Sequence, residues 1–150
     1  MRKIKNSKKG FILIELLIVI AIIGVLATLL MANFVGVRQR ARDAQRKSDI
    51  RQIQAALEIY RSDNGSYPTS LPSCGGSLSV TLPSGATTTY MQKIPCDPTG
   101  TNVSYGYSGD GTTYTLIACL ENSSDSQADQ TATYNNSHCT TPASYTVTNP

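Results

Sequence analysis

The sequence has few of the residues that most catalytic and metal sites require. Its 150 residues include a single histidine and no tryptophan. None of the four cysteines stands in C-x-x-C spacing, so a zinc site is not expected and no cofactor is predicted. No motif for a phosphate-binding loop or for a nucleophile with its base occurs. We therefore predict that the protein is not an enzyme and that His138 is a surface residue.

Proline is absent from the chain before Pro68, so no proline interrupts a helix in the first part of the sequence. Residues 11–32 are almost wholly apolar. As a helix this segment is about 33 Å long, which is enough to cross a hydrocarbon core of about 30 Å. The sequence therefore predicts a transmembrane helix over residues 11–32.

The helical pattern continues beyond the apolar segment. Apolar or small side chains recur there at spacings of three and four residues, with a small phase shift near residue 49. They are Phe34, Val37, Ala41, Ala44 and Ser48, followed by Ile50, Ile53, Leu57 and Tyr60. We expect this amphipathic helix to end near residue 62, where "DNGSYP" supplies turn residues and a proline.

Basic residues are nearly absent from the C-terminal part of the chain. After residue 61, Lys93 is the single basic residue against six acids, whereas residues 1–10 hold five basic residues and no acid. The positive-inside rule therefore predicts that the N-terminus stays in the cytoplasm. The protein is then a single-pass membrane protein whose C-terminal domain lies outside the cytoplasm.

The C-terminal part has few helix formers and several stretches with strand periodicity. The strand candidates are 78–82, 88–94, 103–109, 113–121 and 144–148, with "SGDGT" as the hairpin turn between the third and the fourth. So few large aliphatic residues occur here that the sheet needs the helix face as a cover. The predicted fold class is α+β, in which a long N-terminal α-helix packs on a small antiparallel β-sheet.

All four cysteines follow the long helix. An even number of cysteines beyond a membrane segment predicts two disulfides, and four cysteines allow three connectivities. We predict the sequential pairing, Cys74–Cys96 and Cys119–Cys139, because it closes two local loops and ties polar segments to a thin core.

The charged run "RQRARDAQRKSDIR" (38–51) allows two interpretations. Its basic residues could bind DNA. Its acids could instead form local pairs, Asp43 with Lys47 and Arg46 with Asp49, on a solvated or subunit-facing helix surface. We favour the second interpretation, so nucleic acid is not an expected partner.

The N-terminal residues carry a resemblance to a known family. A basic leader that ends in glycine, followed by "KKGFILIELLIVIAIIGVLA" from Lys8 onward, resembles type IV prepilins and type II secretion pseudopilins. A second similarity, to the major pseudopilin of that family, covers "KIPCDPTG" and "YGYSGDGTTYTLIACLEN". The resemblance implies a pilin-like fold in four parts. These are a cleaved leader at 1–10, a membrane-spanning and filament-core helix at 11–32, an amphipathic helix at 33–62 and a disulfide-linked β-rich domain at 63–150.

The resemblance also implies roles for three N-terminal residues. A prepilin peptidase would cut between Gly10 and Phe11, and the new amine of Phe11 would be N-methylated. Glu15, which is costly in hydrocarbon, would pair with the Phe11 ammonium of a neighbouring subunit. Without these neighbours in sequence, Glu15 could simply extend to the membrane interface.

By the same resemblance, the protein would be a structural subunit of a type IV pilus or a type II secretion pseudopilus. Its partners would be other pilin subunits in a homo-oligomeric filament, the peptidase, an inner-membrane assembly platform and membrane lipid. The alternative is an anchored extracytoplasmic binding module that does not polymerise and that serves, for example, DNA uptake.

The major-pseudopilin resemblance implies a structural calcium site as well. Candidate ligands are Asp97, Asp110, Asp125 and Asp129. Since they lack the spacing of an EF-hand, we favour solvated loop acids over a metal site.

Overall fold

The computed structural model of the chain describes residues 13–100, 103–129, 139 and 143–150. Gly10, Phe11 and His138 lie outside the described residues. The chain divides into two compact units, Met1–Val37 and Arg38–Pro150. One helix, α1 at Leu13–Asn64, begins in the first unit and ends in the second.

In the first unit, α1 presents apolar side chains all round its circumference. Leu13 is 86% exposed and Leu30 74% exposed, and the apolar residues between them are exposed as well. A helix that is hydrophobic on every face requires an apolar environment from outside the chain. Within the described part of the chain, α1 is the helix that is long and apolar enough to cross a membrane.

The end of α1 is fixed by its own terminal residues. Gly65 adopts a positive φ of 76° and its backbone N–H donates to the carbonyl of Arg61 at 2.7 Å. This is the left-handed residue with which helices commonly end, and glycine accepts it without strain. The Asn64 side chain donates to the carbonyl of Tyr60 at 2.8 Å, so the helix extends two residues beyond the predicted end at residue 62.

The second unit contains two antiparallel sheets. Strands β1 (Leu78–Thr81) and β2 (Thr87–Met91) form a two-stranded sheet. Strands β3 (Gly106–Gly109), β4 (Tyr114–Leu120) and β5 (Ala143–Thr148) form a three-stranded sheet in the order β3-β4-β5. The pairing of Gly109 with Tyr114 confirms the predicted hairpin, and Gly111 in its turn has a φ of 91°.

The core lies between the second half of α1 and the central strand. Ile50, Ile53 and Leu57 are fully buried and belong to one hydrophobic cluster with Leu116 and Ala118 of β4. The prediction that this helix face covers the sheet is therefore confirmed. At about 1.5 to 3 kcal/mol for each large aliphatic side chain, this burial is the main apolar contribution of α1 to the domain.

The predicted apolar stripe before residue 49 does not face the core. Its members remain exposed on the protein surface, including Phe34 at 55% and Val37 at 59%. The residues that are buried in that stretch are instead Asp43, Arg46 and Asp49. These polar side chains can be buried because each has partners from outside the helix. The part of the helix predicted to cover the sheet, Ile50 to Tyr60, begins only after this stretch.

β2 and β3 depart most from the predicted strands, because residues expected in them pair with loops instead. β3 begins at Gly106 rather than at residue 103, since the carbonyl of Val103 accepts a hydrogen bond from the N–H of Asp97 at 2.9 Å. β2 ends at Met91 rather than at residue 94. Ile94 exchanges two backbone hydrogen bonds with the turn at Gly75 and Gly76, at 2.8 and 2.7 Å.

The cysteines are joined in chain order. Cys74 pairs with Cys96 across a separation of 22 residues, and Cys119 of β4 pairs with Cys139 across 20 residues. The first bridge lies beside the hydrogen bonds between Ile94 and the glycine turn. The first bridge therefore holds the segment around Cys96 against the turn after Cys74, and the second joins Cys139 to β4.

We expect removal of the second bridge, in a Cys119→Ser/Cys139→Ser variant, to lower the free energy of unfolding by about 3 kcal/mol. This is the chain-entropy value for a loop of this length. Urea denaturation of the detergent-solubilised protein measures the change, and non-reducing peptide mapping of the exported protein should yield the two sequential pairs. Crossed pairs or free thiols would contradict the connectivity.

Candidate assembly segment and a buried ion-pair network

The N-terminal half of α1 carries one charged residue on its apolar surface. Glu15 stands in the first turn of the described helix, next to Ile14 and Leu16, which are 61% and 49% exposed. It makes no ion pair with any residue in the described part of the chain. An ionised carboxylate costs about 2.5 to 3.5 kcal/mol near the centre of a membrane helix and less near its end. The segment therefore presents both an apolar surface and a charge that require partners from other molecules.

In the second unit, a buried guanidinium joins α1 to two other segments of the chain. The side chain of Arg46 is 3% exposed. Its Nε and Nη2 donate to the two carboxylate oxygens of Asp97 at 2.7 and 3.0 Å, and its Nη1 donates to Asp43 at 2.7 Å. The same Nη1 lies 2.9 Å from the carboxylate of Glu121. One helix residue thus binds carboxylates from α1 itself, from the loop after Cys96 and from the end of β4.

Asp43 connects the same helix to the backbone that follows β4. Its two carboxylate oxygens accept hydrogen bonds from the N–H groups of Glu121 and Asn122 at 3.0 and 2.9 Å. Glu121 in turn binds Arg42 through both of its carboxylate oxygens. Because these backbone groups follow the last strand residue, the Asp43 carboxylate satisfies donors that the sheet leaves open.

The charges of this network shift its pKa values. Burial alone would raise the pKa of Asp97, but hydrogen bonds from Arg46 and from Thr99 hold it below its usual value. Hydrogen bonding by Arg42 lowers the pKa of Glu121. Both groups are therefore carboxylates at neutral pH, and the network is ionic rather than a set of neutral hydrogen bonds.

Asp49 is buried one turn further along α1 with a different kind of partner. The hydroxyl of Tyr105 donates to it at 2.7 Å. Burial raises the pKa of Asp49. The hydrogen bond from Tyr105 lowers this pKa, and the nearby charge of Asp97 raises it further, so the net shift is upward. Burial, together with the Asp49 carboxylate, also raises the pKa of Tyr105 well above its usual value, so the hydroxyl stays protonated as a donor.

Near the end of α1, the Glu58 carboxylate likewise accepts hydrogen bonds from tyrosine hydroxyls. It accepts hydrogen bonds from the hydroxyl of Tyr67 at 2.9 Å and from that of Tyr114 at 3.0 Å. The two rings meet edge to face with centroids 4.7 Å apart. The guanidinium of Arg61 lies over the Tyr67 ring at 4.9 Å. The hydroxyls of the two buried tyrosines thus have Glu58 as their hydrogen-bond acceptor, which a buried hydroxyl needs.

The predicted local pairs of the charged run 38–51 are wrong. Lys47 binds Asp125 at 2.6 Å rather than Asp43, and Arg46 binds Asp43 and Asp97 rather than Asp49. The helix surface that we expected to be solvated is therefore partly buried against loops. The signal that could have revealed this was the excess of acids after residue 61, six against the single basic residue Lys93.

The four candidate calcium ligands do not converge. Asp97 belongs to the Arg46 network, and Asp125 binds Lys47. Asp110 accepts three hydrogen bonds from Thr112 and Thr113 inside the hairpin turn. Asp129 accepts one from Ser144. Among the described residues no three histidine, cysteine, aspartate or glutamate side chains form a group that could hold a metal ion, so these four do not fit one calcium ion together.

An apolar N-terminal helix that continues into a disulfide-linked α+β unit defines a pilin-like class of protein. Comparison with known families agrees with this class. Residues 33–137 match the family described as "Type II secretion system (T2SS), protein G", and residues 5–31 match the "Prokaryotic N-terminal methylation motif". The chain therefore belongs to the type II secretion system protein G family, which confirms the predicted family.

Individual relatives bear the name type II secretion system core protein G. The protein from Escherichia coli is 33% identical over 75% of this chain and 81% of its own length. The protein from Pseudomonas aeruginosa is 33% identical over 83% of this chain and 94% of its own length. That from Vibrio cholerae is 31% identical over 73% and 77%, respectively. A comparison with solved structures finds no match.

Replacement of Arg46 by methionine should destabilise the domain by about 3 to 5 kcal/mol, because Asp43 and Asp97 would be left buried without their cation. Equilibrium unfolding in urea, followed by circular dichroism, measures the loss. Lys93→Met is the matched control, since Lys93 is exposed and binds no other described residue; it should change stability by less than about 0.5 kcal/mol. Equal effects of the two substitutions would refute the structural role of the network.

Proposed function

We propose that the chain is a structural subunit of a type II secretion pseudopilus that polymerises through its N-terminal helix. The observation that carries this proposal is the joining of two features in one chain. One is the part of α1 in the first unit, which exposes apolar side chains all round and carries a single charge, Glu15. The other is a domain that belongs to the protein G family. In a filament, the apolar helices of neighbouring subunits would bury one another, as the surface of α1 requires.

Before assembly, the same helix would anchor the precursor in the membrane. The five basic residues among residues 1–10 favour a cytoplasmic N-terminus and an extracytoplasmic domain. A prepilin peptidase would cut between Gly10 and Phe11, where the match to the N-terminal methylation motif supports processing. An inner-membrane assembly platform would then draw the subunit into the filament.

Within the filament, we propose that Glu15 pairs with the ammonium of Phe11 on a neighbouring subunit. Cleavage creates that ammonium, and N-methylation leaves its charge in place. Pairing would neutralise both charges in the apolar core and would set the axial register between subunits. The unpaired carboxylate in the described part of α1 supports this role, because a buried charge without a partner is expensive.

The proposal includes neither an enzymatic activity nor a required cofactor, and nucleic acid is not among the proposed partners. The acids of the second unit support this, because most of them accept hydrogen bonds from other described residues of the chain. A membrane-anchored binding module that does not polymerise is the competing function. It would use the same anchor, but it would have no need for Glu15 or for cleavage.

The first test concerns processing. We expect the native protein to begin at N-methyl-Phe11, and we expect a bulky substitution such as Gly10→Trp to leave the full-length precursor in the membrane, because the scissile backbone must enter a narrow peptidase site. Intact mass and N-terminal sequencing measure both outcomes. A native chain that retains residues 1–10 would contradict the proposal.

The second test concerns assembly. Glu15→Ala should insert in the membrane as the wild type does, but the yield of sheared filaments should fall more than tenfold, because loss of one partner of a buried pair costs about 3 to 5 kcal/mol. Leu16→Ala is the control, since it removes an adjacent apolar side chain without changing charge. Immunoblots of sheared and cellular fractions give the yields. A normal yield from Glu15→Ala would favour the non-polymerising module.

A further inference from the structure

Two arginines on one face of α1 have no partner within the described part of the second unit. Most described cations of this unit are engaged; Arg42, Arg46 and Lys47, for example, bind carboxylates. Arg40 and Arg51 are exposed and make no hydrogen bond or ion pair with another described residue. They are eleven residues apart, which places them within about 20° of each other around the helix and about 16 Å apart along it.

A shallow groove of about 550 Å³ runs along the helix between these two arginines. Small side chains, Ala44, Ser48 and Ala55, line it on the helix, and the loop after β4 borders it at Asp125. Small side chains allow the backbone of another chain to approach α1 closely. We call this surface the Arg40–Arg51 groove.

The groove is positively charged. Its third cation, Lys47, is compensated by Asp125 at 2.6 Å and also contacts Gln127 at 3.2 Å. The charges of Arg40 and Arg51 have no such compensation within the described part of the chain. An occupant of the groove should therefore carry a carboxylate and should approach along the helix.

Outside the apolar segment, one acidic residue of the chain has no hydrogen-bond partner among the described residues. The sequence has ten acidic residues, and all of them are described. Eight accept hydrogen bonds within the chain: Asp43, Asp49, Glu58, Asp97, Asp110, Glu121, Asp125 and Asp129. Glu15 belongs to the apolar segment. The remaining acid, Asp63, is exposed and has no partner among the described residues.

The lack of a partner for the Asp63 carboxylate is unfavourable at this position in the helix. It stands in the last turn of α1, where the partial negative charge of the helix end disfavours a carboxylate by about 0.3 to 1 kcal/mol. Contact with an arginine of another molecule would reverse that unfavourable interaction. Asp63 and the Arg40–Arg51 groove are thus complementary in charge.

We propose that the Arg40–Arg51 groove binds the Asp63 end of α1 from a second copy of the chain. This contact deepens the proposed function and rests on it. Because the two surfaces differ, the contact is heterologous and can continue from copy to copy along a filament. Between parallel helices, it requires an axial offset of 12 to 23 residues, or about 18 to 35 Å.

Charge reversal tests the contact in cells that express the full chain with its secretion system. The Arg40→Glu/Arg51→Glu variant should yield about tenfold fewer sheared filaments than the wild type, and so should Asp63→Arg. Combining the three substitutions should restore the yield to within about threefold of the wild type, because opposite charges face each other again. Absence of this rescue would overturn the contact.

Lys93→Glu is the matched control. It reverses the charge of one exposed lysine outside the groove, half the change in net charge of the double arginine variant, and we expect a wild-type filament yield. An equal loss from Lys93→Glu would show that net charge, rather than the groove, limits assembly, and would also overturn the inference.

Cysteine cross-linking tests proximity directly. Copies with Arg51→Cys are co-expressed with copies that carry Asp63→Cys, and sheared filaments are oxidised briefly. Since all four native cysteines are paired, the added thiols are the reactive ones. We expect a mixed dimer on a non-reducing gel. Lys93→Cys combined with Asp63→Cys should give none, and equal dimer formation in both pairs would contradict the contact.

The outcomes separate this inference from the function on which it depends. If the wild-type chain is absent from sheared filaments, the proposed function itself fails. If the wild type forms filaments but the charge swap does not rescue assembly, the groove contact alone fails. If the arginine reversals reduce secretion or membrane association and leave filament yield unchanged, the groove binds exported protein or anionic lipid, and the inference is overturned.

Discussion

The second unit depends on the burial of one guanidinium. Arg46 can be buried only because carboxylates from three parts of the chain surround it, and those carboxylates can be buried only because Arg46 is present. An ion pair of this kind adds little net stability compared with an apolar cluster of the same volume. Its effect is on specificity, because a displaced loop would leave a charge unpaired in a poorly hydrated site. The loop after Cys96 and the end of β4 are thereby held to the same turn of α1.

The buried face of α1 changes its chemistry along its length. From Asp43 to Asp49 the face is ionic and binds loops, whereas from Ile50 to Leu57 it is apolar and covers the sheet. At Glu58 it becomes polar again and binds the hydroxyls of two tyrosines. The helix therefore meets loops, the central strand and two tyrosine hydroxyls at regions of different chemistry. The exposed face remains available for contacts between subunits.

Sequence patterns predicted the elements of this fold better than their contacts. The 3.6-residue period predicted the helix and its core residues Ile50, Ile53 and Leu57, and the alternation in "TYTLIACLE" predicted β4. The ion-pair network was not predicted, because its partners are separated by 51 and 78 residues, as for Arg46 with Asp97 and Asp43 with Glu121. Sequence spacing reports only neighbours on the same helix. The spacing therefore suggested ion pairs within the helix, whereas the folded chain forms them mainly between residues that are far apart in sequence.

Because of the two disulfides, the stability of the domain depends on the compartment that contains it as well as on its sequence. Both bridges lie in the second unit, where one joins the segments at Cys74 and Cys96 and the other joins Cys139 to β4. Thiols stay reduced in the cytoplasm and become disulfides beyond it. Under the proposed topology, a chain that has not crossed the membrane would lack both links, and its domain would be less stable than that of an exported chain. Disulfide formation would then distinguish exported subunits from those still in the cytoplasm, and only an exported subunit would enter the polymer with both links in place.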